Sequence, residues 1–273
     1  MKEWLIKMKS TCFVLKEQFN NLYLIKRLAE FQLKISNKKN YLGLAWELVN
    51  PVMQIAVFWF IFGLALKSNK IMEGVPFIYW LIVGISMWFF VNEGVLEGSK
   101  SITSKFTQVA KMNFPLSIIP SYVVFSKFYG HLFLLAIVIS ICFIGGYIPS
   151  IYTVQLFIYL LYALILTSTI ALLASTLSML IKDIHLILQS LMRMAFFVSS
   201  ILYLPNNETV MLVMKLNPIY FLAEGYRSAI LHHEWYFITH WHLTLYNIAL
   251  VSLLFIIGSV LHMQFRDKFA DFI

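Results

Sequence analysis

Six long apolar stretches limit what this chain can fold into more than any other feature. They cover residues 46–66, 77–96, 116–145, 154–181, 186–204 and 243–262. About 20 helical residues, at 1.5 Å per residue, span the hydrocarbon core of a bilayer. Only 12% of the 273 residues are charged, whereas soluble domains carry about 25%. The sequence therefore predicts an all-α polytopic membrane protein with six transmembrane helices in a domain of residues 46–262.

The positions of Lys and Arg predict how the chain crosses the membrane. With six spans both termini lie on one side. That side receives fifteen of these residues, nine of them in the arm of residues 1–45, and the other side receives four. Because an excess of positive charge marks the cytoplasmic side, we expect a multi-pass protein of the cell membrane with both termini in the cytoplasm. The net charge of +8 then favours contact with anionic membrane lipids over nucleic acid.

Two segments on the predicted cytoplasmic side have helical patterns of their own. In the arm, an apolar residue recurs every three or four positions, which predicts an amphipathic helix in the membrane interface. These residues are Leu24, Leu28, Phe31 and Ile35. Residues 98–115 predict a short helix with Ile102, Phe106 and Val109 along one face and Lys105 elsewhere. This helix is a candidate docking surface, and residues 263–273 form a short cytoplasmic tail.

On the opposite side, residues 205–242 are too long for a loop and too interrupted for a span. Asn217 and Pro218 separate two apolar halves. We expect a pair of half-helices that dip into the outer leaflet, which is allowed only where protein or water satisfies the freed backbone.

Small residues predict where two helices approach closely. Four of them repeat every fourth position in the fourth span: Ala163, Thr167, Ala171 and Ser175. Gly94 and Gly98 form a Gly-x-x-x-Gly pair at the end of the second span. Such seams favour close helix packing. We expect contact within one chain, and a dimer interface is the less favoured interpretation.

The chain lacks the residue patterns of most catalytic sites. It has no Gly-x-x-x-x-Gly-Lys-Ser/Thr loop, so ATP and Mg²⁺ are expected on another subunit and no cofactor on this one. His232, His233, His240 and His242 match no familiar metal spacing, and solvated loop histidines are the favoured interpretation. We therefore expect no catalytic residue and no metal site in this chain.

Two cations within the spans, Lys127 and Arg193, are candidates for function because a charge in the membrane is costly. Both are predicted in the inner half of the bilayer, where Glu47, Glu93 and Glu97 are possible counter-charges. Two interpretations stay open: structural ion pairs, or guidance of an anionic substrate. Aromatic residues in the first two spans could also line a path along which sugars slide.

Two motifs carry a resemblance to a known family. The first is residues 41–51, Tyr-Leu-Gly-Leu-Ala-Trp-Glu-Leu-Val-Asn-Pro, which opens the first span. The second joins residues 216–220, Leu-Asn-Pro-Ile-Tyr, to residues 224–227, Glu-Gly-Tyr-Arg. With the six spans they resemble ABC-type polysaccharide and polyol-phosphate export permeases. Among these the chain is most similar to teichoic acid translocation permeases, with O-antigen and capsule permeases next.

The resemblance implies a homodimer working with two copies of a separate ATPase. It implies export of an anionic polymer, most simply wall teichoic acid, linked to undecaprenyl diphosphate. The helix in residues 98–115 would dock on the ATPase through Ile102, Lys105, Phe106 and Val109. A second set of residues would form the cargo path and its gate: Trp46, Glu47, Lys127, Arg193, Tyr226 and Arg227.

Three other functions are weighed against this one. A drug or lipid efflux permease of the same superfamily would share the spans and differ in substrate. An intramembrane enzyme would need a nucleophile with its base or a group of metal ligands, and the sequence shows no such pattern. A secondary transporter would show broken helices in both halves, and only Asn217-Pro218 is visible.

Overall fold

The structure is a computed structural model that describes residues 2–36, 41, 43–61, 71–109 and 114–272. Its α-helices are numbered in chain order. They are α1 (Lys2–Asn20), α2 (Leu22–Ser36), α3 (Trp46–Trp59), α4 (Phe77–Ser99), α5 (Ser101–Val109), α6 (Ile118–Ile144), α7 (Leu156–Leu180), α8 (Ile184–Phe197), α9 (Glu208–Lys215), α10 (Pro218–Arg227), α11 (Tyr236–Thr239) and α12 (Trp241–Phe265). A hairpin pairs β1 (Ile71–Met72) with β2 (Val75–Pro76), and Arg266–Phe272 continues α12 as a 3-10 helix. The all-α polytopic fold predicted from the sequence is confirmed.

The helices form a bundle around α4, which is buried along most of its length. Its neighbours include α3, α6, α7, α8 and α10. We call the end that carries α1, α2, α5 and the residues after α12 the inner end. The end with the hairpin and α9 to α11 is the outer end.

Small residues let α4 and α7 touch. A Cβ added at Gly94 would lie 2.6 Å from Thr167, and one added at Gly98 would lie 2.5 Å from Ala171. Ala163 and Ser175 of the same seam are also fully buried. The seam predicted from the sequence therefore packs within one chain.

Four helices among the described residues are long and apolar enough to cross a membrane. They are Phe77–Ser99, Ile118–Ile144, Ile151–Leu180 and Trp241–Phe269. The other two predicted spans contain shorter apolar helices, Val49–Trp59 and Ile184–Phe197. Residues 62–70, at the end of the first predicted span, lie outside the described residues.

The helix predicted within residues 186–204 ends earlier than its apolar stretch. At 14 residues, α8 is about 21 Å long. Three turn residues follow it, and the last of them, Ser200, has a φ of 55°. A left-handed residue cannot continue a right-handed helix. The apolar stretch alone did not reveal this break, because the contacts that hold Ser200 come from distant residues.

The arm packs differently from the single apolar face predicted for it. The buried residues of α2 are Ile25 and Ala29, which pack against the inner end of α6 and share an apolar cluster with Ile102 and Phe106 of α5. Phe31 and Ile35 are exposed. One side of α2 therefore packs against the protein, while other apolar residues of the same helix are exposed and available to the membrane interface.

At the outer end, the chain breaks at Asn217 and Pro218 as the sequence indicates. Asn217 caps α10 by accepting a hydrogen bond from the Ile219 amide at 3.0 Å, and Pro218 occupies the first helical turn. Both residue types favour a helix start. The structure thus has two short helices, α9 and α10, and their insertion into the outer leaflet stays a prediction.

Candidate functional site

A cavity of about 300 Å³ lies between α3, α4 and α6. Its lining is mostly polar or charged: Trp46, Asn50, Asn92, Glu93, Leu96, Glu97 and Lys127. Glu93 is six residues from the end of α4, or about 9 Å along the helix. The cavity therefore opens within the inner half of the bundle. Two residues of the predicted path, Trp46 and Lys127, meet in it.

The described lining of this cavity carries more negative than positive charge. Lys127 Nζ lies 3.4 Å from Glu93 Oε2, and the Glu93 side chain is 44% exposed. Glu97 also lines the cavity and is exposed. Among the described residues of the lining, two carboxylates therefore face one ammonium group, and the ion pair between Lys127 and Glu93 that the sequence left open is present. An exposed carboxylate at this depth needs water, a partner or a ligand beside it.

A smaller void of about 20 Å³ continues from this cavity towards the middle of α6. It shares Glu93 and Lys127 with the cavity and reaches His131. The Nε2 atom of His131 lies 2.9 Å from the hydroxyl oxygen of Tyr226 in α10. Tyr226, another predicted path residue, is fully buried. Tyr226 lines neither void, so the expectation that it contacts cargo does not fit this geometry, and its contact with His131 instead links α10 to α6.

Arg227 lies at the other end of α4, with no exposed surface. Its Nη1 is 2.6 Å from Glu224 Oε1, and its Nε donates to the Trp80 carbonyl oxygen at 3.1 Å. Its guanidinium carbon lies 3.3 Å from the centre of the Trp80 ring. A Cβ added at Gly84 would come within 2.5 Å of Arg227 Nη2, so the glycine makes room for the cation. A buried charge needs such partners.

The same network fixes the turn that ends α8. Ser200 donates its hydroxyl hydrogen to Glu224 Oε1 at 2.7 Å, and its carbonyl oxygen accepts from Arg227 Nη2 at 2.9 Å. A left-handed residue other than glycine costs about 1–3 kcal/mol and persists only where its surroundings hold it. Arg227 and Glu224 supply that support.

Every residue of the Glu-Gly-Tyr-Arg motif fixes α10 to a different neighbour. Glu224 binds Ser200 after α8, and Arg227 binds Trp80 in α4. Gly225 packs directly against the Tyr159 ring of α7, with no room for a Cβ. The motif is thus an anchor for the outer helices. The expectation that Arg227 contacts cargo does not fit this geometry, because the chain itself surrounds its side chain.

Arg193 lies elsewhere, on an exposed face of α8. Leu191 and Met194 beside it are 52% and 64% exposed. On α3, Met53 and Val57 are also exposed, and both helices contact α4. The backbone of Glu47 belongs to α3, and its side chain lies outside the described residues. The structure therefore does not bring Arg193 into the cavity of Lys127.

Comparison with known proteins identifies the family of this chain. Residues 23–231 match the family model described as ABC-2 type transporter. The chain belongs to this family. It is 21% identical over 226 residues to the O-antigen export system permease protein RfbA of Myxococcus xanthus, covering 81% of this chain and 85% of that protein. The permease of the same name from Klebsiella pneumoniae is 24% identical over 252 residues, covering 87% and 95%.

Membership in the ABC-2 transporter family implies a partner that carries the ATPase. This ABC-2 chain has no phosphate-binding loop of the Gly-x-x-x-x-Gly-Lys-Ser/Thr type. Among its described residues no group of three His, Cys, Asp or Glu side chains could hold a metal ion.

The inner-end helix α5 of this ABC-2 transporter is oriented opposite to our expectation. Ile102 is fully buried and Phe106 is 8% exposed, both packed inside the chain. Val109 and Lys105 are half-buried. The exposed side is polar: Thr103, Ser104, Thr107 and Gln108. The apolar residues predicted to dock on the ATPase instead stabilise the helix against the bundle. A docking partner would meet the polar side.

The outer histidines lie apart from the cavity. His232 Nε2 is 3.4 Å from Glu73 Oε2 in the β1–β2 turn, and this close contact holds the pKa of Glu73 below its ordinary value of 4.5. His233 Nδ1 is 2.8 Å from Ser150 Oγ. These contacts connect the hairpin and the α6–α7 loop to the segment that follows α10. The sequence offered no signal for them, because each partner is remote in the chain.

Proposed function

We propose that the chain is the membrane subunit of an ATP-driven exporter of a lipid-linked cell-surface polysaccharide. The observation that carries this proposal is the polar, aromatic-bearing cavity at the inner half of an ABC-2 bundle. The similarity to O-antigen export permeases over 81% and 87% of the chain supports it. Undecaprenyl diphosphate is the proposed lipid carrier.

The chemistry of the cavity suits a sugar. Asn50 and Asn92 offer amide donors and acceptors, and Glu93 and Glu97 offer acceptors for hydroxyl groups. Trp46 adds a ring whose apolar face suits the C–H side of a sugar. Its volume of about 300 Å³ is at the lower end of small-ligand sites, enough for a short segment and not for a coiled polymer.

The exposed faces of α3 and α8 support a homodimer bound to two ATPase subunits. Each face is apolar and both flank α4, so two copies could enclose a path between them. Arg193 would then face that path instead of lipid, where an exposed cation is costly. There it would meet the diphosphate of the carrier, because a cation attracts an anion more strongly away from bulk water.

Wall teichoic acid, a polyol-phosphate polymer, is the second candidate cargo. The observation in its favour is the exposed cation Arg193 on the proposed path. The described lining of the cavity argues for an uncharged glycan, since its two carboxylates would repel a phosphate and the Lys127 ammonium group pairs with Glu93. A polysaccharide like that of the O-antigen permeases is therefore the preferred cargo.

The ATPase is proposed to dock at the inner end on the polar side of α5. Thr103, Ser104, Thr107 and Gln108 supply hydroxyl and amide groups there. Replacing Thr107 and Gln108 by Ala is expected to weaken copurification of the ATPase without unfolding the subunit.

Depletion of the chain in its native host tests the function. We expect a lipid-linked polymer to accumulate inside the cell, and the wild-type gene to restore its export. The ratio of phosphate to neutral sugar in this polymer separates the two cargoes. A depleted cell with no internal lipid-linked glycan or polyol phosphate would reject the proposal.

A further inference from the structure

The inner end contains an apolar core separate from the one around α4. Its fully buried members come from several parts of the chain, and the inner-end core is defined by these residues: Ala29, Ile102, Ile118, Ile119 and Phe269, with Ile25, Phe106, Tyr122, Val123 and Met179 almost as buried. Ile102 and Phe106 belong to α5, and Phe269 belongs to the 3-10 helix after α12. The last residues of the chain therefore share a core with the helix proposed to meet the ATPase.

Phe269 is the central contact of this 3-10 helix. Its side chain has no exposed surface, although the flanking Lys268 is exposed. The ring packs edge-on to Phe106, with centroids 6.2 Å apart and an angle of 82° between the planes. It also meets the ring of His262 in α12 at 5.7 Å. Edge-to-face pairs at these distances are favourable beyond the area they bury.

The same segment is held to the arm. The guanidinium carbon of Arg266 lies 5.2 Å from the centre of the Phe13 ring in α1. About one turn further along α1, Gln18 donates to the Ser117 carbonyl oxygen at 2.8 Å, and the Ser117 hydroxyl donates to Glu17. The arm and the 3-10 helix thus hold each other and the start of α6.

A helix as short as α5 depends on such contacts. It has nine residues, and isolated helices shorter than about 12–15 residues are marginal in water. Its position is therefore set by what packs on Ile102 and Phe106. One of those contacts is Phe269, which is continuous with the spanning helix α12.

We propose that Phe269 is a positioning residue that couples α5 to α12. A displacement of α5 by the ATPase would move α12 through the ring pair of Phe106 and Phe269. A shift of α12 would in turn reset α5. This inference rests on the proposed function, since it requires an ATPase that acts on α5.

Export per ATP hydrolysed, measured with the complete reconstituted complex, tests the inference. Phe269→Ala removes the ring, Phe269→Leu retains most of its volume, and Lys268→Ala is the matched control on an exposed neighbour. The probe is the lipid-linked polymer isolated from depleted cells. We expect Phe269→Ala to lower export per ATP about tenfold, Phe269→Leu to recover most of this loss, and Lys268→Ala to match the wild type.

Copurification of the ATPase and the melting temperature of the complex are measured alongside. An unchanged export-to-ATP ratio in a folded Phe269→Ala complex would overturn the inference. If the alanine variant does not fold, the leucine variant decides. A two- to threefold drop in its ratio, about what a partial loss of coupling gives, supports the role, and a wild-type ratio rejects it. A wild-type complex that exports nothing would instead count against the proposed function.

Discussion

The Arg227 network and the Lys127 cavity both place charges inside the helix bundle, at opposite ends of α4, and they differ in how those charges are satisfied. Arg227 is fully buried, and its hydrogen bonds and ring contact all go to the same chain. Glu93 and Glu97 lie around an open cavity, partly exposed. A charge enclosed by its own chain holds the fold together, whereas a charge at the edge of a void can meet a ligand.

The largest expected effect is the loss of Arg227. Arg227→Met should cost about 3–5 kcal/mol of unfolding free energy, because it leaves the Glu224 carboxylate buried without its cation. Thermal unfolding of the detergent-purified subunit measures this. Arg193→Met is the matched control, since Arg193 is exposed and its removal leaves no buried partner. Equal melting temperatures for both variants would contradict the conclusion that Arg227 stabilises the fold.

A smaller loss of stability is expected at Gly84. In Gly84→Ala the new methyl group would lie 2.5 Å from Arg227 Nη2, so the guanidinium must shift away from its partners. Such overpacking costs about 1–3 kcal/mol. Gly258→Ala serves as the control, because its nearest neighbour would be at an ordinary 3.4 Å. The midpoints of thermal unfolding of the two variants should separate, and coincident midpoints would mean that the space around Arg227 is not limiting.

Sequence patterns predicted the helix bundle better than they predicted the roles of single residues. Apolar length predicted the membrane helices, and the spacing of Gly94 and Gly98 predicted close packing, since both signals are local. The role of Arg227 depends on Trp80 and Ser200, which are remote in the chain. The sequence also did not reveal which way the apolar face of α5 points, because the same pattern of apolar residues serves for contact with a partner and for packing in the chain's own core.

Loss of a charge in the cavity should affect export more than stability, whereas loss of Arg227 should mainly affect stability. Lys127→Met removes the partner of a partly exposed carboxylate. It should therefore lower the free energy of unfolding by less than about 1 kcal/mol, which the melting temperature reports. Its effect on export distinguishes the cargoes. An uncharged glycan should still be exported at a reduced rate, whereas a polyol phosphate attracted by Lys127 should be lost. Quantifying both products at the cell surface gives the answer.

The smallest effect is expected at the outer hairpin. Because contact with His232 lowers the pKa of Glu73, the stabilisation is present above the ordinary value of 4.5 and disappears as pH falls through the lower, folded value. The side chain is 46% exposed, so Glu73→Gln should cost no more than about 1 kcal/mol at neutral pH. Melting temperatures of the two proteins should converge in acid, and a gap that widens there would contradict the sign of this linkage.

We propose that the inner cavity binds sugar, whereas the buried Arg227 network only supports the fold. Asn92→Leu tests this most directly, because it removes an amide from the cavity wall at nearly constant size and leaves Arg227 untouched. Export of the native polymer by the reconstituted complex is the measurement. We expect export to drop about tenfold, roughly the value of one good hydrogen bond, with the melting temperature and basal ATP hydrolysis unchanged. Wild-type export by a folded Asn92→Leu complex would contradict it.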